Sequence, residues 1–357
     1  MTTPIPPDPP GLWERYGRPL CLMTDPTPEI DCRDGLGRVP RYLRIAVTGR
    51  CNFRCLYCAP EADHPGRPEA QTLSHDEILR LVALLARLGV SKVRFTGGEP
   101  LLRPGLPNLM KSVNRLDGIR EICLSTNAYL LEENIDALVD AGLTTVNISC
   151  DTTREDRFRQ ITRRPGADRV LRAIEASMAH PAIKRVKINT VVMRGINDDE
   201  IPVLVEWCAH PKIDVRFIEF MPTAEVEYSE SLMMSEREIR DRIGRPLLPV
   251  EGGDPTAPAK LWRIAGQPDL PGRIGFISTM THKFCANCTR LRITADGRVA
   301  NCLFSETLLD LKTLLRSDAS DDAILEAIAS YWRTKAPAHR LDDPAFLGRP
   351  TMIAVGG

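Results

Sequence analysis

No sign of charge predominates in this 357-residue chain, which sets 47 lysines and arginines against 47 aspartates and glutamates. Such a chain has no overall field to draw it to nucleic acid or to an anionic membrane, so any polyanion it binds must meet a local cluster of cations. Long hydrophobic runs are missing as well, which excludes a helical membrane span. The opening "MTTPIPPDPPG" and the nearby "TDPTPE" are rich in proline and poor in apolar residues, unlike a secretory leader. Residues 1–33 therefore read as a flexible arm and the protein as cytoplasmic. No repeat of solenoid type runs through the chain.

Cysteine, in contrast, is plentiful, with eleven in the chain. In a reducing compartment, clustered thiols point to metal or iron-sulfur ligation rather than to a disulfide framework. Cys21, Cys32, Cys123, Cys150 and Cys208 lie singly and read as small hydrophobes. The other six fall into two triplets.

The length suggests about two domains. From residue 43, strand-like runs alternate with helical periodicity. "LRIAVT" is followed by "SHDEILRLVALLARLG", where Ile78, Leu81, Val82, Leu85 and Leu88 share one helical face behind a Ser74 cap and Glu77. The cycle recurs at "SKVRFT", "REICLST", "TTVNISC", "KRVKINTVVM" and "DVRFIEFM", with helix-length spacers such as "LEENIDALVDAG" and "IPVLVEWCAH". Six strand-helix units imply a parallel sheet covered by helices, too few for a closed eight-fold barrel. The expected fold is α/β: an incomplete, TIM-like (βα)6 barrel over residues 34–224. After "EFMPTAEVEY" the pattern shifts to prolines, glycines and the short strand candidates "LWRI", "RIGFI", "LRIT" and "RVANCLF", ahead of a helical end. Residues 225–357 read as a small C-terminal α+β module ending in two glycines.

The first triplet, Cys51, Cys55 and Cys58, packs three thiols into eight residues of "GRCNFRCLYC". Three thiolates can hold three irons of a four-iron cluster and leave the fourth open to a small molecule. Zinc is the alternative, with His64 or His75 as a fourth ligand. "FTGGEP" follows the second strand; its glycines permit close backbone approach, and Glu99 is suited to accept from an ammonium group. The second triplet, Cys285, Cys288 and Cys302, is CxxC followed after thirteen residues by a third cysteine, with His282 three residues upstream as a candidate fourth zinc ligand.

The CxxxCxxC spacing after a first strand, with Tyr57 before the last cysteine, resembles the radical S-adenosylmethionine superfamily. The ordered set "YLRIAVTGRCNFRCLYC", "VRFTGGEPLLR", "LSTNAYLL", "VNISCDT", "VKINTVVMRGIND", "RFIEFMP" and "FCANCTRLRITADG" resembles, more narrowly, the GTP 3′,8-cyclase family of molybdenum-cofactor biosynthesis. That resemblance implies two 4Fe-4S clusters, on Cys51, Cys55 and Cys58 and on Cys285, Cys288 and Cys302. It assigns Tyr57, Gly98, Ser149 and Met221 to S-adenosylmethionine, and Arg44, Arg94, Thr126, Lys187, Arg290 and Arg292 to GTP, with Arg290 and Arg292 also acting in catalysis. The implied reaction abstracts the 3′-hydrogen of GTP and closes C3′ onto C8 of guanine. The implied partners are a flavodoxin or ferredoxin as electron donor, cyclic pyranopterin monophosphate synthase as the next enzyme, and a second copy of the chain in a homodimer; no nucleic acid or membrane is implied. The terminal diglycine is expected to reach into the active-site cavity.

Physics supports part of this: planar guanidinium groups match phosphate oxygens in pairs, and Arg290 and Arg292 alternate along a strand and so share a face. The sequence departs from the family pattern at Gly49, where aspartate is usual, Ala128, usually glycine, and Thr289, usually asparagine. Ala128 is strained if its backbone needs positive φ. Two other readings remain: a peptide-modifying radical enzyme, disfavoured because only three cysteines follow residue 208, and a non-catalytic metal-binding scaffold with zinc at both triplets.

Overall fold

A computed structural model describes residues 30–60, 71–224, 226, 228–341, 343, 346 and 352. Most of the expected arm, Cys21, His64 and the terminal Val355–Gly357 lie outside the described residues.

The six expected strands are β1 Tyr42–Ala46, β2 Lys92–Thr96, β3 Glu121–Thr126, β4 Thr145–Ser149, β5 Arg185–Val192 and β6 Ile213–Glu219. They lie side by side in sequence order, all parallel. The helices between them form for local reasons. In His75–Arg87, Ser74 and Glu77 make a reciprocal capping box, and Ile78, Leu81, Val82, Leu84 and Leu85 are buried; Gly89 at φ +96° ends the run. "IPVLVEWCAH" is shorter than expected: an α-helix over Ile201–Val205 tightens to a 3-10 turn at Glu206–Ala209.

Each strand presents two different faces. Leu43, Ile45, Val93, Phe95, Val186 and Ile188 point outward under the helices and are completely buried. Their neighbours Arg44, Arg94 and Lys187 point inward and line a lumen. Parallel strands buried on both sides usually read as continuous apolar runs. Polar residues on the inner face mark a barrel whose interior is kept for a ligand rather than filled with side chains.

The C-terminal strands of the expected module extend the same sheet at both edges. β10 Arg290–Ile293 pairs in parallel with β1, and β9 Arg273–Ile277 in parallel with β6. The short strands β11 Arg298–Ala300 and β12 Leu309–Asp310 continue antiparallel beyond β10, and β8 Lys260–Ile264 and β7 Leu247–Pro249 beyond β9. The row β12-β11-β10-β1 to β6-β9-β8-β7 does not close, so the barrel is open-sided as expected. Unpaired edges of a parallel sheet are a liability, and the C-terminal third covers both. Among the described residues no helix is long and apolar enough to cross a membrane.

Candidate active site

One cavity of about 1350 Å³ occupies the lumen. At the carboxyl ends of the strands it is bounded by the loop after β1 that carries the first cysteine triplet. This loop is fixed by its main chain: Arg54 and Leu56 N–H donate to Thr162 and Ile161 C=O at 2.8 and 2.9 Å, and Cys58 N–H to Cys55 C=O at 3.0 Å. Phe53 anchors it, edge-on to Tyr129 and Phe158 at 5.7 and 5.4 Å. Cys51, Cys55 and Cys58 all line the lumen, as do Tyr57, Gly98, Ser149 and Met221. Tyr57, Gly98, Ser149 and Met221, the residues assigned to S-adenosylmethionine, thus line the same space as the three cysteines.

The "GGE" turn does something the sequence reading missed. Gly97 and Gly98 admit the close approach of the protein's own backbone: a Cβ on Gly98 would lie 2.2 Å from Arg50 O, and one on Gly97, at φ +142°, 2.3 Å from Thr48 O. The turn is bonded to the cysteine loop through Gly98 N–H to Thr48 C=O at 2.9 Å and Glu99 N–H to Arg50 C=O at 2.8 Å. Gly98→Ala is expected to cost about 1–3 kcal/mol, the usual range for overpacking, and to loosen iron binding at the first triplet. Urea unfolding and iron content check both.

Glu99 does not face the lumen as an ammonium acceptor. Its buried carboxylate accepts from Thr126 Oγ1 at 2.7 Å, Asn127 N at 2.7 Å and Leu101 N at 3.0 Å. Burial pushes it up to about 7 despite those donors. Thr126, expected among the substrate residues, lines the lumen but gives its hydroxyl to Glu99. Ala128, two residues on, does adopt φ +62°, a conformation that costs a residue with a Cβ roughly 1–2 kcal/mol. Gly49 sits in a bend without positive φ, so its conformation does not demand glycine.

The thiol environment fits a shared cluster. Burial pushes Cys51 up to about 11 and raises Cys55, to which the nearby Cys58, Asp151 and Cys51 add. Such groups stay neutral thiols until a cation arrives to take them as thiolates. Among the described residues no three cysteine, histidine or carboxylate side chains crowd together as donors to one metal ion. A cluster that takes one thiolate per iron does not need that crowding. Of the zinc candidates, His75 packs near Gly105, and His282 lies 3.6 Å from the Glu236 carboxylate; neither lines the lumen. Nearby, Tyr57 Oη donates to Asp151 Oδ2 at 2.7 Å, and burial pushes Asp151 up to about 6.

Deeper in the lumen the charge reverses. Arg292, Arg44 and Arg94 lie in register on β10, β1 and β2, and Lys187 on β5 lines the same space with Arg290. Arg44, Arg94 and Arg292 lie inside their strands, Arg290 opens β10 and Lys187 is near the start of β5, so none closes its strand at the carboxyl end. Burial pushes Arg292 down to about 9, with Arg44 and Arg290 adding repulsion, and Arg44 down to about 10. Arg94 is tied by Tyr42 Oη and by Leu124 O at 2.9 Å. Lys187 is pushed down to about 7, by burial first and then by Arg216, Arg94 and Lys92.

Arg216, Asn147 and Asn189 are among the lumen residues that were not foreseen. Arg216 on β6 donates to Asp214 Oδ2 at 3.1 Å, but its buried Nε finds no hydrogen-bond partner among the described residues; nor do the buried side-chain oxygens of Asn147 and Asn189 on β4 and β5. Strand alternation, applied to "NIS", "KIN" and "VRFI", was the available signal.

The second triplet stands just outside this cationic wall. Phe284, Asn287, Thr289 and Leu303 line the lumen beside Cys285, Cys288 and Cys302, which do not. Cys288 N–H donates to Cys285 C=O at 3.0 Å, closing the CxxC turn. Arg290 Nε donates to Cys288 Sγ at 3.3 Å. Although burial pushes the Cys288 thiol up, Arg290 and Lys335 outweigh it and bring it down to about 6. A thiol so disposed is ready to bind a cation as thiolate.

Residues 45–208 match the family description "Radical SAM superfamily", and residues 213–341 match "Molybdenum Cofactor Synthesis C". The chain is 42% identical over 300 residues to a GTP 3′,8-cyclase of Thermodesulfovibrio yellowstonii, covering 83% of this chain and 92% of that one. It is 41% identical over 339 residues to the GTP 3′,8-cyclase of Corynebacterium glutamicum (91% and 89% covered). It is 39% identical over 328 residues to the mitochondrial GTP 3′,8-cyclase of Arabidopsis thaliana (91% and 83% covered). In fold it resembles the crystal structure of Streptococcus suis SuiB bound to S-adenosylmethionine, with a TM-score of 0.57 at 16% identity over 87% of this chain and 68% of that one.

Proposed function

This chain belongs to the GTP 3′,8-cyclase family within the radical SAM superfamily, and we propose that it converts GTP to (8S)-3′,8-cyclo-7,8-dihydroguanosine 5′-triphosphate, the first step of molybdopterin biosynthesis. Superfamily membership brings one 4Fe-4S cluster and S-adenosylmethionine, which together supply a 5′-deoxyadenosyl radical when bound. Cys51, Cys55 and Cys58 hold that cluster, and Tyr57, Gly98, Ser149 and Met221 hold S-adenosylmethionine. A second 4Fe-4S cluster on Cys285, Cys288 and Cys302 belongs to this proposal, as does the division of labour between residues 34–224 and 225–357.

The observation that carries the reading is the charge reversal along one lumen. Neutral thiols and Asp151 occupy the end near the cysteine loop; Arg44, Arg94, Lys187, Arg216, Arg290 and Arg292 occupy the depth. A sulfonium-bearing cofactor suits the first and a nucleoside triphosphate the second, because guanidinium groups pair with phosphate oxygens. Cations on several strands fix the polyphosphate at separate points, so ribose and base are held in one relative geometry and the C3′–C8 closure becomes effectively intramolecular. Asn147 and Asn189 offer buried acceptors in register with Lys187 and Arg216.

Anaerobic reconstitution with GTP, S-adenosylmethionine and dithionite tests it: the cyclised nucleotide is expected. Formation of 5′-deoxyadenosine alone would overturn the assignment. A flavodoxin or ferredoxin is the proposed physiological donor, cyclic pyranopterin monophosphate synthase the consumer of the product, the cytoplasm the compartment, and a homodimer the assembly.

Lys187 gives a pH test. With its ammonium pushed down to about 7, the free protein loses this charge as pH rises through neutrality, whereas bound triphosphate draws the proton back. GTP binding is expected to take up as much as one proton and to weaken above pH 7 by up to about tenfold per pH unit. Calorimetry in buffers of different ionisation heat measures the uptake, and Lys187→Met should abolish this component.

A further inference from the structure

Behind the second triplet, on the side that does not line the lumen, lies a buried polar frame with no part in the chemistry above. Asp34, Arg38, Asn301 and Lys335 are all buried there around the fully buried Trp332. Arg38 Nε is ion-paired with Asp34 Oδ2 at 2.5 Å. Its Nη1 donates to Cys285 O at 2.7 Å, and its Nη2 to Lys335 O and Ala336 O at 3.1 and 2.9 Å. Trp332 Nε1 donates back to Arg38 O at 3.0 Å. Lys335 Nζ donates to Arg290 O at 3.5 Å and to Asn301 O. One carbonyl is two residues past Cys288 and the other immediately precedes Cys302, so a single ammonium spans the two parts of the triplet that thirteen residues separate.

We infer that Lys335 is a positioning residue for the second cysteine triplet, bridging its two halves and backing it with a fixed positive charge, with Arg38 holding Lys335 in place. The inference rests on the proposal that this triplet carries a 4Fe-4S cluster. Burying a lysine is costly unless it is paired: burial pushes the Lys335 ammonium below its ordinary range, Cys288 and Cys302 favour it, and Arg290 and Arg38 oppose it. A cluster gains negative charge on reduction, so a fixed cation beside it favours the reduced state. At the first triplet the carboxylates Glu99 and Asp151 raise Cys51 and Cys55, with Arg54 opposing at Cys51, whereas two cations, Arg290 and Lys335, act on Cys288. The frame therefore sets the two clusters apart electrostatically.

Lys335→Gln keeps a donor to the carbonyls and removes the charge; Lys335→Met removes both. In anaerobically reconstituted full-length protein, Lys335→Gln is expected to retain about eight irons and to lower the reduction potential of the second cluster by a tenfold change in equilibrium, about 59 mV for one electron. Lys335→Met should lose the second cluster's iron, while the first cluster and 5′-deoxyadenosine formation persist as the internal control of folding. Should Lys335→Met lose both clusters, the potential of Lys335→Gln decides. An unchanged second-cluster potential in Lys335→Gln overturns the inference. A wild-type protein with only about four irons, or with zinc at the second triplet, overturns the second-cluster proposal itself, and this inference with it.

Discussion

Cys55→Ala is expected to yield a folded protein that binds GTP as the wild type does, carries about four irons per chain instead of about eight, and forms no 5′-deoxyadenosine. The loop that presents Cys55 is held by main-chain bonds from Arg54 and Leu56 and by the aromatic contacts of Phe53, none of which needs the thiol. Removing one small side chain from such a loop should change stability by no more than about 1 kcal/mol. The loss falls on iron. Among the described residues, Asp151, whose charge acts on Cys55, is not free to substitute, because it is already bonded to Tyr57 and to Val191 N–H. GTP affinity should survive because the cations lie deeper, on β1, β2, β5 and β10. Iron analysis, chromatography for 5′-deoxyadenosine and nucleotide titration read the three parts separately. Undiminished 5′-deoxyadenosine would refute the role given to the first triplet.

Arg292→Met should produce effects of opposite sign on binding and on stability. Arg292 is buried beside Arg44 and Arg290, and burial and repulsion push its guanidinium down to about 9. The charged form is thus less favourable in the folded chain than in the unfolded one. Replacing it with an apolar side chain of similar length relieves that cost, so the apo-protein is expected to melt higher, by a few degrees if the gain is about 1–2 kcal/mol. GTP loses a desolvated, charge-assisted contact worth about 2–5 kcal/mol, roughly thirtyfold to several-thousandfold in affinity. A lower Tm together with unchanged affinity would show that Arg292 supports the wall and does not bind nucleotide.

Much of this site was legible because its chemistry is written in short spacings. Three thiols within eight residues, or CxxC ahead of a strand, survive any uncertainty about the rest of the fold, and the Ser74–Glu77 cap and the Ile78 to Leu88 stripe are equally local. Period-two alternation correctly gave Arg290 and Arg292 one face. It cannot tell which strand lies next to which, so the pairing of β10 with β1 and of β9 with β6 was hidden. The same limit concealed Arg50 as the neighbour that requires Gly98, Glu99 as the partner of Thr126, and Lys335 as the bridge behind Cys288 and Cys302. In each case the contact joins residues far apart in the chain, and its energy leaves no mark on local composition.

The edge pairing of β1 has a consequence for the chain during its synthesis. Tyr42 is paired with Arg290, and Ile218 with Ile277. Both flanks of the growing sheet therefore stay bare on the ribosome until the last third of the message has been read. Parallel sheets assembled from distant segments form slowly, and bare strand edges invite pairing between nascent chains. Fragments ending near residue 224 should accumulate as aggregates rather than as a smaller soluble barrel, and slower, cooler expression should favour the complete chain.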